Sequence, residues 1–180
     1  KYGNEGNDEQ YGYFNRRQHV QKIVLNSLYG ALGLPVFRFY DIDNAEATTV
    51  TGQELIKFTE KIANSYYNKK LGDKEDYCIY TDTDSVFYPA KPLVEKRYPN
   101  ADLDDEEFMT EQILEVAHEV QDYINKSYNY FSSKFLNIQG DHRFDIKQEV
   151  IAKSAFWVTK KRYGQWIIND GGTPCEKLDV

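Results

Sequence analysis

Two acids two residues apart, Asp82 and Asp84, sit between two short runs, Tyr77-Cys78-Ile79-Tyr80 and Val86-Phe87-Tyr88. The runs are rich in aromatic and β-branched residues, which pack well on a pleated surface, so each reads as a strand. Thr-Asp-Thr-Asp between them reads as a hairpin turn, because Asp bonds to its own nearby backbone. Side chains two apart on extended chain point the same way. Two carboxylates held together repel, and their pKa values climb, unless something positive binds them. A hard divalent cation with oxygen ligands, Mg2+ first, meets that need.

The remaining chain falls into segments by period. Residues 1–10 are polar and glycine-bearing and predict a frayed start. A helix is expected from about Tyr13 to Leu32, with Val20, Val24, Leu28 and Ala31 on one side and Asn15, His19, Lys22, Asn26 and Tyr29 on the other. Gly30, Gly33 and Pro35 end it. Val36 to Tyr40 is a short aromatic connector or strand. Asp43 and Glu46 resemble a capping box that opens a second helix reaching about Lys70, with Leu55, Phe58, Ile62 and Tyr66 as its buried stripe.

After the acidic hairpin, residues 91–105 read as a polar loop with Pro92 and Pro99. Its acidic end favours the start of a helix dipole rather than a metal site. A long helix then runs to about Leu136, with Ile113, Ala117, Val120, Ile124, Tyr128, Phe131 and Phe135 as core, and His118 in a structural place beside them. From Phe144 onward the pattern alternates as strands do. Ala155–Thr159 and Tyr163–Ile168 flank Lys160-Lys161-Arg162, Asp170-Gly171-Gly172 is a turn, and Cys175–Val180 is a last strand. The coarse expectation is an α+β fold, a small antiparallel sheet packed on two or three helices.

Bulk numbers set outer bounds. The 180 residues suit one domain, or one and a fragment. With fifteen Tyr and ten Phe the chain is too aromatic to be disordered overall. A net charge of −7 argues against a general nucleic-acid coat, though not against locally concentrated cations. Cys78 and Cys175 make neither a disulfide framework nor a metal-ligand spacing, which points to a reducing, intracellular setting; the expected place is the cytoplasm, that of the host if the chain is viral. No apolar run is long enough for a membrane span. The only methionine is Met109, so a chain opening on Lys1 is expected to be part of a longer one.

By itself Asp-x-Asp has several readings. A calcium loop of the EF-hand kind is excluded, because Phe87 and Leu93 stand where that loop needs Gly and Glu. A nucleotide-sugar glycosyltransferase also holds its metal and diphosphate with Asp-x-Asp. A plain turn with solvated acids is the commonest case.

Three features together resemble the polymerase region of family B DNA polymerases, in order as well as content. Lys22-Ile-Val-Leu-Asn26-Ser27-Leu-Tyr29-Gly30 is similar to the family's K-x3-N-S-x-Y-G fingers motif. Tyr80-Thr81-Asp82-Thr83-Asp84-Ser85 is similar to its Y-G-D-T-D-S palm motif, and Lys161-Arg162-Tyr163 to its K-x-Y motif. The wording of these stretches looks most like that of the replicative polymerases of T-even-type phages. The resemblance implies the last fingers helix over residues 1–33 and part of the palm over residues 34–180.

The resemblance also implies roles. The reaction would be two-metal, template-directed nucleotidyl transfer from deoxynucleoside triphosphates to a primer 3′ end, with two Mg2+ ions as cofactors. Asp84 would ligate the metals, Asp82 would support or join it, and Glu149 resembles a third acid near them. Lys22 and Asn26 would meet the triphosphate, and Tyr29 with Gly30 would floor the nascent base pair. Lys161 would reach the primer terminus and Tyr163 its phosphate, with Thr83, Lys160 and Arg162 as further DNA contacts. Primer-template DNA would be the partner, with a sliding clamp or accessory subunits beyond it.

Two departures matter. Thr81 stands where the palm motif usually has glycine. The family's other metal-binding aspartate lies in a D-x-x-S-L-Y-P motif, and nothing like it occurs here. The isolated chain is therefore expected not to polymerise. The reading set against the enzyme is a non-catalytic module, a split-polymerase piece that pairs with another subunit or holds DNA.

Overall fold

The computed structural model describes residues 8–180. They form α1 (Asp8–Leu32), α2 (Ile42–Leu71), β1 (Tyr80–Asp82), β2 (Ser85–Phe87), α3 (Lys91–Arg97), α4 (Glu106–Phe135), β3 (Val150–Thr159), β4 (Arg162–Asp170) and β5 (Thr173–Asp179). This is the α+β class expected. The strands make two sheets instead of one, a β1–β2 hairpin and a three-stranded antiparallel sheet in the order β3-β4-β5. Two compact units divide at Gly52, inside α2. Among the described residues no helix is long and apolar enough to cross a membrane.

In the unit ending at Gly52, α1 begins at Asp8, earlier than Tyr13, so residues 8–10 of the expected frayed start are helical. Residues 1–7 of that start lie outside the described residues. Val20, Val24 and Leu28 are all more than half exposed. Residues 36–40 are a chain of turns, with Phe37 N–H bonded to Leu34 O and Tyr40 N–H to Phe37 O, so they are a connector and not a strand. Asp41, not Asp43, caps α2: its carboxylate accepts from the Asn44 backbone N–H at 3.0 Å and side-chain amide at 2.6 Å. Asp43 sits in the first turn, where its charge suits the positive end of the dipole.

The unit from Gln53 is built on α2 and α4. Ala63, Tyr66 and Tyr67 of α2 are buried with Val116, Ile124, Tyr128 and Phe131 of α4. On α4 those positions recur at three- and four-residue spacing, which lines one face. Phe135 was expected to extend this core but is 62% exposed, so the stripe ends a turn sooner. His118 is exposed rather than packed beside the stripe. Asp105 caps α4, accepting from Glu107 and Phe108 N–H, both at 3.1 Å. The buried hydroxyls of Thr59 and Tyr128 bond at 2.7 Å.

The expected loop at 91–105 contains α3. Pro92 occupies its first turn, where a missing N–H costs nothing, and Leu93 and Val94 bury against α2 and α4. Arg97 then reaches Glu119 at 2.8 Å, and Tyr66 donates to the same carboxylate at 2.7 Å. One carboxylate thus ties α2, α3 and α4 together.

Residues 144–149 alternate inward and outward as expected, yet pair with no strand before Val150. Their neighbour is a row of amides on α4. Asn125 accepts from Ile146 N–H at 2.8 Å and donates to Ile146 O at 3.0 Å, and Gln121 accepts from Gln148 N–H at 2.8 Å. Downstream, Gly171 and Gly172 both hold positive φ, as a two-residue turn between β4 and β5 requires.

Candidate active site

The β1–β2 hairpin pairs Tyr80 with Phe87, Thr81 with Val86 and Asp82 with Ser85, which leaves Thr83 and Asp84 as the turn. Regular strand is confined to residues 80–82 and 85–87, each shifted toward the turn relative to the predicted runs 77–80 and 86–88. Asp82 therefore closes β1 while Asp84 lies in the turn, so the two acids do not share one extended strand. Asp82 shapes the turn by accepting from Thr83 N–H at 2.9 Å and Thr83 Oγ1 at 3.0 Å. The hairpin closes tightly with Thr81 in the place usually held by glycine.

The second part of the site is the β3–β4 turn, Lys160-Lys161. Lys161 takes a left-handed φ of 62°, which for a side-chain-bearing residue costs about 1 kcal/mol. Two contacts offset that cost. Its backbone N–H donates to the Tyr80 hydroxyl at 2.9 Å. Its ammonium bonds both oxygens of Asp82, at 2.8 and 2.9 Å. The Lys161 ammonium, and next Thr83, hold the Asp82 carboxyl below the usual aspartate range, and Asp82 raises Lys161 in turn.

Beneath these polar groups lies an aromatic cluster. Tyr80 and Phe87 of the hairpin pack on Trp157 and Tyr163 of β3 and β4, with ring centroids 5.6 to 6.4 Å apart. Cross-strand pairing of Trp157 with Tyr163 and of Tyr80 with Phe87 puts two rings on each side of the contact. Tyr80 and Trp157 are site residues that local reading missed as such. Their signal is aromaticity on strands flanking the two motifs, which is also what any core strand shows.

Lys160, Arg162, Thr83 and Asp84 are exposed around this base. Among the described residues Asp84 has no ion-pair partner. Glu149 is exposed just before β3, and its carbonyl accepts from Gly171 N–H at 2.6 Å. Among the described residues no group of three or more His, Cys, Asp or Glu is placed to hold a metal, so Glu149 does not join Asp82 and Asp84 in one.

In the unit ending at Gly52, Lys22, Asn26 and Tyr29 fall on one face of α1, all exposed. The Tyr29 hydroxyl bonds Thr49 Oγ1 at 2.6 Å, and Thr49 also donates to Ala45 O at 3.1 Å. A hydroxyl has one proton, so Tyr29 is the donor of the first bond. Tyr29, Gly30, Gly33, Ala45, Glu46 and Thr49 line an open pocket between α1 and α2. A Cβ on Gly30 would meet nothing within 4 Å.

The model of DNA polymerase family B matches residues 3–174. The chain belongs to this family. Among family B relatives, the DNA-directed DNA polymerase of Enterobacteria phage T4 is 34% identical over 170 residues, covering 83% of this chain and 17% of the T4 protein. The DNA-directed DNA polymerase of Escherichia phage RB69 is 31% identical over 163 residues, covering 85% of this chain and 18% of its own. The DNA polymerase alpha catalytic subunit of Arabidopsis thaliana is 26% identical over 171 residues, 94% of this chain and 9% of that one. The chain thus spans less than a fifth of the length of these relatives.

Family B polymerases are metal-dependent. The donors here suit a hard cation. Asp82 and Asp84 offer carboxylate oxygens on one tight turn, and such ions are commonly held by one or two carboxylates with substrate phosphates completing the shell. The Lys161 ammonium bonds both oxygens of Asp82, whereas Asp84 carries no ion-pair partner among the described residues.

Proposed function

We propose that this chain is the palm, with the last fingers helix, of a DNA-directed DNA polymerase that extends a primer with deoxynucleoside triphosphates in the cytoplasm. Residues 1–33 serve as fingers and residues 34–180 as palm. Asp84 and Asp82 hold the metal ions, Mg2+ being the occupant that oxygen donors favour. When bound, two such ions supply activation of the primer hydroxyl and neutralisation of the leaving pyrophosphate.

The chain's own residues do the positioning. Asp84, free of any cation partner among the described residues, is the open ligand. Lys22 places a compact positive charge toward the triphosphate, with Asn26 one turn along. Tyr29, its ring fixed through Thr49, and Gly30 present a flat floor to the base pair. Lys161 and Tyr163 face the primer end, with Thr83, Lys160 and Arg162 at its phosphates. Glu149 supports the charge balance from the foot of β3.

The observation that carries this reading is the bidentate bond from Lys161 to Asp82. It joins two motifs far apart in the chain, as one site serving metal and primer requires. The test is primer extension by the full gene product carrying this segment. Asp84→Ala is expected to lower the rate by about 1,000-fold or more, in line with losing charge stabilisation where phosphoryl transfer depends on it. DNA binding should persist. Near-normal extension by Asp84→Ala rejects the metal role and leaves a non-catalytic DNA-binding module.

A further inference from the structure

Strand alternation turns Tyr80 and Asp82 toward the Lys161 turn, and turns Thr81 the opposite way, toward α2. There Thr81 Oγ1 lies 3.4 Å from Glu60 Oε2 and 3.2 Å from Cys78 Sγ. The Thr81 hydroxyl donates to that carboxylate, and the Cys78 thiol donates to Tyr80 O at 3.7 Å. Glu60 also receives the other strand's exit, because its backbone carbonyl accepts from the Tyr88 hydroxyl at 2.9 Å. One turn along the same face, Asn64 accepts from Tyr77 N–H at 2.9 Å at the approach to β1. One face of α2 therefore grips the hairpin at its approach, middle and exit.

A hairpin with three-residue strands is marginal without outside support. The aromatic cluster fixes one side of it. We infer that Thr81 and Glu60 are positioning residues that fix the other side and so set where Asp82 and Asp84 stand. Glycine at position 81 would leave Glu60 without its donor and remove a stiff, β-branched link. This inference rests on the reading of Asp82 and Asp84 as metal ligands.

The experiment is a titration of this chain with Mn2+, followed by the electron paramagnetic resonance of the free ion, alongside thermal unfolding. Thr81→Val, which keeps the shape and loses the hydroxyl, is expected to weaken Mn2+ binding about tenfold, the low end for partners that orient metal ligands. Thr81→Ser, which keeps the hydroxyl, should bind close to wild type. From the other partner, Glu60→Leu should weaken binding by a similar factor and Glu60→Gln, which retains an acceptor, should not. Thr81→Val or Glu60→Leu with wild-type affinity overturns the inference, as does Thr81→Ser as weak as Thr81→Val. Asp84→Ala separates the two readings. If it abolishes binding while Thr81→Val does not, only the positioning role falls. If it leaves binding intact, or the wild-type chain takes up no Mn2+, the metal reading falls and the inference with it.

Discussion

At the scale of single residues, Gly30, like Gly52 in α2, is a helical glycine whose cost has no structural return. It lies inside α1, and a Cβ there would touch nothing within 4 Å. Glycine inside a helix costs about 1 kcal/mol relative to alanine. Gly30→Ala is thus expected to raise urea stability by about 0.5–1 kcal/mol. In primer extension by the full gene product it should weaken nucleotide use, because the proposed base-pair floor gains a methyl group. Movement of both readouts in the same direction rejects a ligand-facing role. The Lys161–Asp82 pair gives a second prediction. A carboxyl held below its ordinary value stabilises the fold above the unfolded pKa, and that contribution fades as pH falls through the folded value. The urea midpoints of wild type and Lys161→Met should differ at pH 7 and converge below the ordinary aspartate value of about 3.9. Lys161 is raised by the same pair, so the difference also fades on the alkaline side, above about 10.4. Carboxyl-carbon NMR should find Asp82 titrating higher in the variant, and an unmoved titration removes Lys161 as the cause. The lysine was legible as part of a motif, and Asp82 as part of another. Their bond was not, because nothing local encodes a pairing between turns on separate hairpins.

At the scale of elements, what was legible followed local periodicity. The apolar spacing of α4 named Ile124, Tyr128 and Phe131 before any packing was known, and those three are buried. Phe131→Ala is expected to cost about 3–5 kcal/mol in chemical denaturation, as for other buried aromatics cut to alanine. Where periodicity failed, a side chain had replaced a backbone partner. Residues 144–148 alternate as a strand does, but their ladder is the amide row of Gln121 and Asn125. Alternation reports which faces are wet, not what bonds the backbone. Asn125→Ala should speed hydrogen exchange at the Ile146 amide while leaving β4 protected; unchanged exchange there rejects the amide row as the anchor. Helix α3 was missed for the opposite reason. Proline read as a loop signal is equally a first-turn signal, and only burial of Leu93 and Val94 decides between them.

At the scale of the whole molecule, this family B chain carries the hairpin and lysine turn but no D-x-x-S-L-Y-P motif. The purified 180-residue chain is accordingly expected to give no templated incorporation above an Asp84→Ala control in a labelled-primer assay. Clear Asp84-dependent extension would show that the acidic hairpin suffices without that motif. The aromatic base of the site has one more use. The chain has two tryptophans, and Trp157 is the one wedged between Tyr80, Phe87 and Tyr163, while Trp166 is 38% exposed on β4. A Trp166→Phe chain keeps a single indole, seated under the acidic turn. Its emission colour and quenching then form a built-in optical gauge of whether the two hairpins stay docked, readable in a cuvette without label or substrate.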